Sequence, residues 1–247
     1  MDGITLPPAT LEHTKDYNSR WPVHPVSLLY QQLALSFKEQ VKPYMPRKTK
    51  DEAEQTRLSI MQAAIEVFND KGVSRSTLAD IATEAGVTRG AIYWHFDNKT
   101  DLVHQMMSHY FDGIDQQVRE QHSGLQGVEM LLKAVDSWID IIEEREDIQK
   151  LLEISFFKME HTGDMSALHE IESNILQSDI SQLVSDLQHN VQTGDIRADA
   201  DLTKASISFI ALSQGILMQW ILLKKTFSLR SVLISSIEAL LNDIRVK

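Results

Sequence analysis

Residues Gly72–Leu102 read GVSRSTLADIATEAGVTRGAIYWHFDNKTDL. Thr77, followed three residues later by Asp80, forms a capping box, a pattern that satisfies two orphan backbone donors at a helix start. The short helix it opens buries Leu78, Ile81, Ala82 and Ala85, and Gly86 breaks it. Thr88 then caps a further helix, Arg89–His95. At 100° per residue, Ile92 and Phe96 share the face that locks onto neighbouring helices. Gly90 and Trp94 lie opposite, flanked by Tyr93, while Arg89 projects from the first turn. A bulky Trp facing outward beside a Gly suits a helix pressed into a groove rather than one bathed in solvent. Ahead of this pair, a longer helix is expected over Asp51–Lys71, with Ile60, Ala64, Val67 and Phe68 inside and Gly72 as its stop. One long helix and two short ones joined by a tight Gly turn make the layout of a helix-turn-helix.

Working outward, every clear period from Asp51 onward is helical, without strand-like alternation or repeats, so the fold class is all-α. Lys99 opens a fourth helix, with Val103, Met106, Met107, Tyr110, Ile114 and Val118 reaching toward His122. Further helices are expected over Glu129–Ile142, Gln149–Glu160, Leu168–Val191, Leu202–Lys224 and Leu229–Ile244. In the helix from Leu202, a seam of Leu202, Ala205, Phe209, Leu212 and Ile216 leaves Ile210, Leu217 and Ile221 pointing elsewhere. A helix apolar on two faces needs two partners, its own core and a second subunit. The reading divides the chain into an N-terminal extension over 1–44, a three-helix DNA-binding domain over 45–100, and a larger helical domain over 101–247. Five prolines interrupt the extension, leaving Ser27–Val41 as its one plausible helix, and a disordered tail or an upstream start is expected there.

The 247 residues carry 43% apolar and 24% charged side chains, ordinary for a globular protein. No cysteine is present, which excludes disulfides and thiolate zinc sites and fits a reducing cytosol. The N-terminus shows no basic-then-apolar leader, and a cytoplasmic location is expected. The best membrane-span candidate, Ala205–Leu223, carries Ser206, Ser208, Ser213, Gln214 and Gln219, too many polar groups for a lone spanning helix. A net charge of −11 is unexpected in a nucleic-acid binder until it is divided by region. Residues 1–44 and 45–100 are each balanced, and the whole excess sits in 101–247, with 12 basic against 23 acidic residues. A balanced domain with its cations on one side can bind DNA, and acid elsewhere orients it on the duplex.

The run Gly72–Leu102, with the preceding Thr56-Arg57, Ile60-Met61, Ala63-Ala64 and Phe68, resembles the DNA-binding domain of TetR-family repressors, and within them the AcrR-type regulators of multidrug efflux genes. The likeness is dense from Met45 to Leu102 and thinner beyond, and it has no counterpart for 1–44. It implies a homodimer built through a four-helix bundle of the last two helices from each subunit. It also implies a ligand cavity in the C-terminal domain and repression of a palindromic, double-stranded DNA operator, relieved by ligand.

By the same resemblance, DNA contacts carry over to Thr88, Arg89, Gly90, Tyr93, Trp94, His95 and Lys99. Physically, the Thr88 and Tyr93 hydroxyls can donate to phosphates, and Lys99 meets a phosphate at a helix N-terminus. Gly90 permits close approach to the bases, and Arg89 can read a guanine edge. His95 sits nearer the core side, where a structural role competes with contact. Ser76 and Thr77 are additional phosphate candidates, and Arg47, Lys48 and Lys50 form a cationic arm. The polarizable or aromatic candidates for the ligand cavity are Met106, Met107, Phe111, Trp138, Phe156, Phe157, Ile175 and Met218, each equally at home as plain core. Gln214, Glu153 and Glu160 would add polarity for a cationic effector, although surface charge explains them as well. The dimerisation candidates are Phe209, Leu212, Ile216, Trp220, Leu233, Ile237 and Leu240.

No nucleotide-binding glycine loop, nucleophile elbow or zinc-protease motif occurs, and the nine histidines are scattered. Neither an enzyme, a metal site nor a cofactor is expected. The expected mechanism is a two-state switch in which the fourth helix relays ligand binding to the spacing of two recognition helices. The rivals are an activator or regulator of metabolic genes, and a helical protein-interaction module with vestigial DNA binding.

Overall fold

The computed structural model describes residues 50–122, 127–159 and 166–246. Its helices are α1 (Lys50–Lys71), α2 (Leu78–Glu84), α3 (Arg89–His95), α4 (Lys99–Gln121), α5 (Gly127–Glu144), α6 (Glu146–Glu153), α7 (Ser166–Thr193), α8 (Leu202–Leu222) and α9 (Leu229–Ile244). The helix expected over Gln149–Glu160 is in fact two pieces, since α6 runs directly into a π-helical turn, Ile154–Lys158. Among the described residues there is no strand. An isolated antiparallel bridge between Ile196 and Arg245 ties the end of α9 to the loop after α7.

Why each helix stops where it does is mostly local chemistry. The chain turns out of α2 through Gly86, whose φ of +65° lies in the left-handed region that glycine enters without cost. The end of α8 is different. The apolar pattern predicts a helix to Lys224, but Lys224 and Lys225 take φ of 51° and 62°, and the helix stops at Leu222. Left-handed backbone costs a side-chain-bearing residue about 1–2 kcal/mol. Here it is offset by the Lys225 N–H donating to Trp220 O at 2.8 Å and by the Lys225 ammonium lying 5.6 Å from the Trp220 ring centroid. The Trp220 indole N–H in turn donates to Phe227 O at 3.2 Å.

The core is one continuous apolar cluster. Ile60, Ile65 and Phe68 of α1 join Ile81, Ile92 and Phe96 of the short helices, then Met106, Phe111 and Trp138, and finally Leu183, Phe209, Leu217, Leu233 and Ile237. Helix α8 packs on both α7 and α9. It alone among the described helices is long and apolar enough to cross a membrane, and its inner face is sealed inside this cluster.

Burial overturns four of the expected dimer contacts. Phe209, Trp220, Leu233 and Ile237 are 4% exposed or less within one chain, so they build its core and are not available to a partner. Leu212, Ile216 and Leu240 are half-buried at its margin. The face of α8 that does look outward is Ala211, Gly215, Met218 and Leu222, spaced at one helical stripe. Met218, expected in the cavity, is 38% exposed and belongs to this outer stripe. Because apolar residues occur on every side of the helix and Ser206 and Ser213 point inward, periodicity could not say which side faced in. If Phe209 is core, Phe209→Ala should lower unfolding stability by about 3–5 kcal/mol in denaturant titrations, whatever the protein concentration.

Candidate nucleic-acid interface

Helices α2 and α3 are held at a fixed angle by buried and capped ends. Thr77 accepts from the Asp80 N–H at 3.1 Å, and the Asp80 carboxylate accepts from the Thr77 N–H at 2.9 Å and its hydroxyl at 2.6 Å. Lys71, at the end of α1, adds a salt bridge to Asp80 at 2.9 Å. These donors, the Thr77 hydroxyl foremost, hold the Asp80 carboxyl well below the usual carboxylate range. Thr88 caps α3 by accepting from the Ala91 N–H at 3.2 Å, which leaves its own hydroxyl proton to donate elsewhere. Ile92 and Phe96 are fully buried, so they clamp the inner face of α3.

The outer face of α3 is correspondingly bare. Tyr93 is 58% exposed and Trp94 is 47% exposed, side by side. Arg89 is exposed and makes no hydrogen bond or ion pair among the described residues. The His95 ring is half-buried and sits edge-on to Trp94 at 4.5 Å, which steadies the indole from behind. At Gly90 an added Cβ would meet nothing closer than Thr88 Oγ1 at 3.9 Å, ordinary contact. No described residue of the chain therefore forbids a side chain there. Beside this face lies an open cleft of about 490 Å³ lined by Ser76, Thr77, Leu78, Ala79, Arg89, Tyr93, Asp97, Asn98 and Lys99.

Three expected phosphate ligands are engaged internally, the first being Thr77, whose hydroxyl proton goes to Asp80. Ser76 is 2% exposed and its hydroxyl donates to Gly72 O at 2.7 Å, so it serves the turn and not a surface partner. The Lys99 ammonium donates to Val73 O at 2.8 Å and to Ser74 O and Ser76 O at 3.1 Å each. All three of its protons are thereby used on the turn that precedes α2. Arg47 and Lys48 lie outside the described residues. Asp97 and Asn98, absent from the sequence expectations, complete the cleft: Asn98 caps α4 by accepting from the Asp101 N–H, and Asp101 accepts from the Asp97 N–H, both at 2.9 Å. The spacing Asn98-x-x-Asp101 is the signal, hidden behind the adjacent lysine.

The expected cavity residues divide. Met106, Met107, Phe111 and Trp138 are buried, with the Phe111 and Trp138 rings stacked at 6.2 Å. Phe156 is half-buried, Phe157 is 42% exposed on the π turn, and Gln214 is half-buried. Glu153 is half-buried and salt-bridged to Lys158. The Ile175 side chain and Glu160 lie outside the described residues.

An outward aromatic pair, an unengaged arginine and a side-chain-free position on one helix suit a groove-bound element. Comparison with known proteins agrees. Residues 60–106 match the family described as bacterial regulatory proteins, tetR family, and residues 128–245 match the MAATS-type transcriptional repressor C-terminal region. The chain belongs to the TetR family. It is 32% identical over 192 residues to the HTH-type transcriptional regulator AcrR of Shigella flexneri, covering 75% of this chain and 87% of that one. It is 33% identical over 190 residues to the HTH-type transcriptional regulator TtgR of Pseudomonas putida, covering 75% and 89%. The crystal structure of NalD, the secondary repressor of the MexAB-OprM multidrug efflux pump in Pseudomonas aeruginosa, superposes with a TM-score of 0.67 at 26% identity. That match covers 78% of this chain and 98% of NalD. The protein is thus a TetR-family transcriptional repressor, homologous to efflux-operon repressors, and its homologues are regulators rather than enzymes.

Two outcomes follow from the site of this TetR-family chain. Gly90→Ala should raise thermal stability, by about 0.5–1 kcal/mol for a glycine replaced in a helix, while weakening DNA binding in an anisotropy titration. Asp80, with its folded-state pKa depressed, contributes stability that is present above about pH 4 and lost as the pH falls toward its folded-state value. Asp80→Asn should flatten that acid limb of the stability–pH curve.

Proposed function

We propose that this TetR-family protein is a dimeric, ligand-responsive repressor of a multidrug efflux operon, released from a near-palindromic operator by a hydrophobic small molecule. The observation that carries the DNA half is the bare outer face of α3, where Arg89, Gly90, Tyr93 and Trp94 lie over a core-clamped inner face. Residues 45–100 are the DNA-binding unit, and 101–247 are the effector-binding and dimerisation unit. Tyr93 and Thr88 hydroxyls donate to phosphates, and Arg89 reads a base edge. Lys99 acts as the strut that aims α2 at the backbone.

The dimer forms through the outer stripe of α8 together with α9. Met218 at 38%, Leu222 at 61% and Val232 at 38% exposure are large apolar groups left in water by one chain. Gly215 has nothing within 4 Å of an added Cβ, so two copies of α8 can approach closely there. Leu212, Ile216 and Leu240 fill the margins. A two-fold pairing through these helices sets the recognition helices about 34–36 Å apart, one turn of DNA.

Two struts relay the effector's presence to α2. The turn Gly72–Ser76 is held by Lys99 of α4 and, from its other side, by the π turn: the Val73 N–H donates to Lys158 O at 3.0 Å. The Lys158 ammonium reaches back to Asn69 O and Asn69 Oδ1, and Lys150 of α6 pairs with Glu66 of α1 at 2.8 Å. A shift of α4 or α6 on effector binding therefore re-aims the headpiece, and ligand and DNA oppose each other reciprocally. Support for the efflux target comes from the homology to AcrR, TtgR and NalD.

Tyr93→Ala should remove specific binding to the DNA flanking the protein's own gene, read by fluorescence anisotropy at fixed salt. Met218→Asp should shift sedimentation toward monomer and lower operator affinity at least tenfold, by about 1.4 kcal/mol or more. No difference between that DNA and a random duplex would refute the repressor reading.

A further inference from the structure

Helix α7 carries its most polar residues where its most apolar ones belong. Asp179, Asp186 and Asn190 fall at i, i+7 and i+11, one narrow stripe, and Leu183 and Leu187 of the core lie beside them. Asp179 is 2% exposed and Asn190 is 4% exposed. Within one turn of each other, two acceptor atoms on this stripe have no donor. Asp186 Oδ1 accepts from the Gln182 amide at 3.1 Å, but Asp186 Oδ2 is buried without a partner. The Asn190 amide donates to Asp186 O at 2.9 Å, which pins the side chain beside that turn and leaves buried Asn190 Oδ1 unpaired. On α8, which packs against α7, Ser206 and Ser213 are fully buried and neither hydroxyl has a partner.

Such groups are costly. A buried polar atom left unpaired destabilises a fold by about 1–3 kcal/mol, more for a charge, and native structures rarely leave several together. Among the described residues no lysine or arginine pairs with the Asp186 carboxyl; burial raises it to about 7 and the Gln182 hydrogen bond opposes that. Among the described residues no group of three His, Asp or Glu side chains could hold a metal ion. With the Asp186 carboxyl ionised, these two acceptors one turn apart lack a group with N–H donors, and the carboxylate lacks positive charge. A protonated amine has both.

We propose that Asp186 Oδ2 and Asn190 Oδ1 form the seat for a protonated amine on a small, otherwise apolar effector. The inference rests on the effector-binding reading above and names the chemistry of that ligand. Leu183 and Leu187 flank the seat and suit the hydrocarbon part of such a molecule, while the Ser206 and Ser213 hydroxyls on α8 add neutral polar capacity.

The test is calorimetric titration of the full chain near pH 8, where the carboxyl is ionised. The probes are phenylbutylamine, a cation, and phenylbutanol, its neutral counterpart. The amine should bind saturably and about tenfold or more tighter than the alcohol. Asp186→Asn should erase that advantage, leave the alcohol unchanged, and unfold at the same or a higher temperature than the parent without ligand. Equal binding of the two probes, no saturable binding of the amine, or full amine affinity in Asp186→Asn would each overturn the seat. So would a Tm several degrees lower in the variant, because that marks a structural carboxylate. Operator binding is followed separately by anisotropy: a chain that takes up the amine yet keeps its DNA overturns the release reading and leaves the seat intact.

Discussion

Three carbonyls and one ammonium set the geometry of the DNA-facing end. The turn after α1 leaves Val73 O, Ser74 O and Ser76 O outside any helical ladder, and backbone acceptors near a core must find donors. Lys99 supplies all three from the first residue of α4. Because α4 is rooted in the core through Leu102, Val103 and Met106, and Lys158 O of the π turn accepts from the Val73 N–H, the position of this turn is set by those two elements and not by the loop itself. Helix α2 starts immediately beyond it, and α3 packs on α2. The outward angle of Tyr93 and Trp94 is therefore inherited, through two packed helices, from the contacts that hold this turn.

The joint between α1 and the larger helical body differs in kind from the core around it. Beneath it the apolar cluster is continuous, which resists separation but tolerates sliding. Across it run directional bonds: Tyr110 to Gln62 at 2.9 Å, Arg57 to Gln105 at 3.4 Å, Lys150 to Glu66, and Lys158 to Asn69. Directional bonds at a sliding contact make discrete arrangements rather than a continuum, which is what a switch between two states requires. The π turn at Ile154–Lys158 is part of this joint, since its altered winding turns Lys158 O toward the Val73 N–H.

Polarity inside the larger body follows a different logic. Around α8 and α9 apolar side chains exceed what one chain can bury, and the surplus appears as the stripe through Met218 and Leu222. Around α7 the reverse holds, with carboxylate, amide and hydroxyl groups placed in the interior without enough partners. Surplus apolar surface outside and unmet polar demand inside are both costs to an isolated chain.

Much of this architecture was legible in the residues alone, where local chemistry decides it. The Thr77–Asp80 capping box, the Thr88 cap, Gly86 and the split between Ile92–Phe96 and Gly90–Trp94 depend only on neighbours within a few positions, and α3 lies where that pattern puts it. The same pattern carried the family resemblance. Three things needed the tertiary structure. Whether Ser76 and Lys99 serve a phosphate or the protein's own carbonyls depends on a turn more than twenty residues from Lys99 in sequence. Which face of α8 is core depends on how its neighbours approach, because its apolar residues lie on every side and its buried serines blur the periodic signal. And a carboxylate such as Asp186 reads as surface in any sequence; only packing shows that one of its oxygens is sealed from water with nothing to hold. Local hydrogen bonds and backbone conformation are written in short-range spacing, whereas burial is a property of three-dimensional neighbours that spacing alone does not encode.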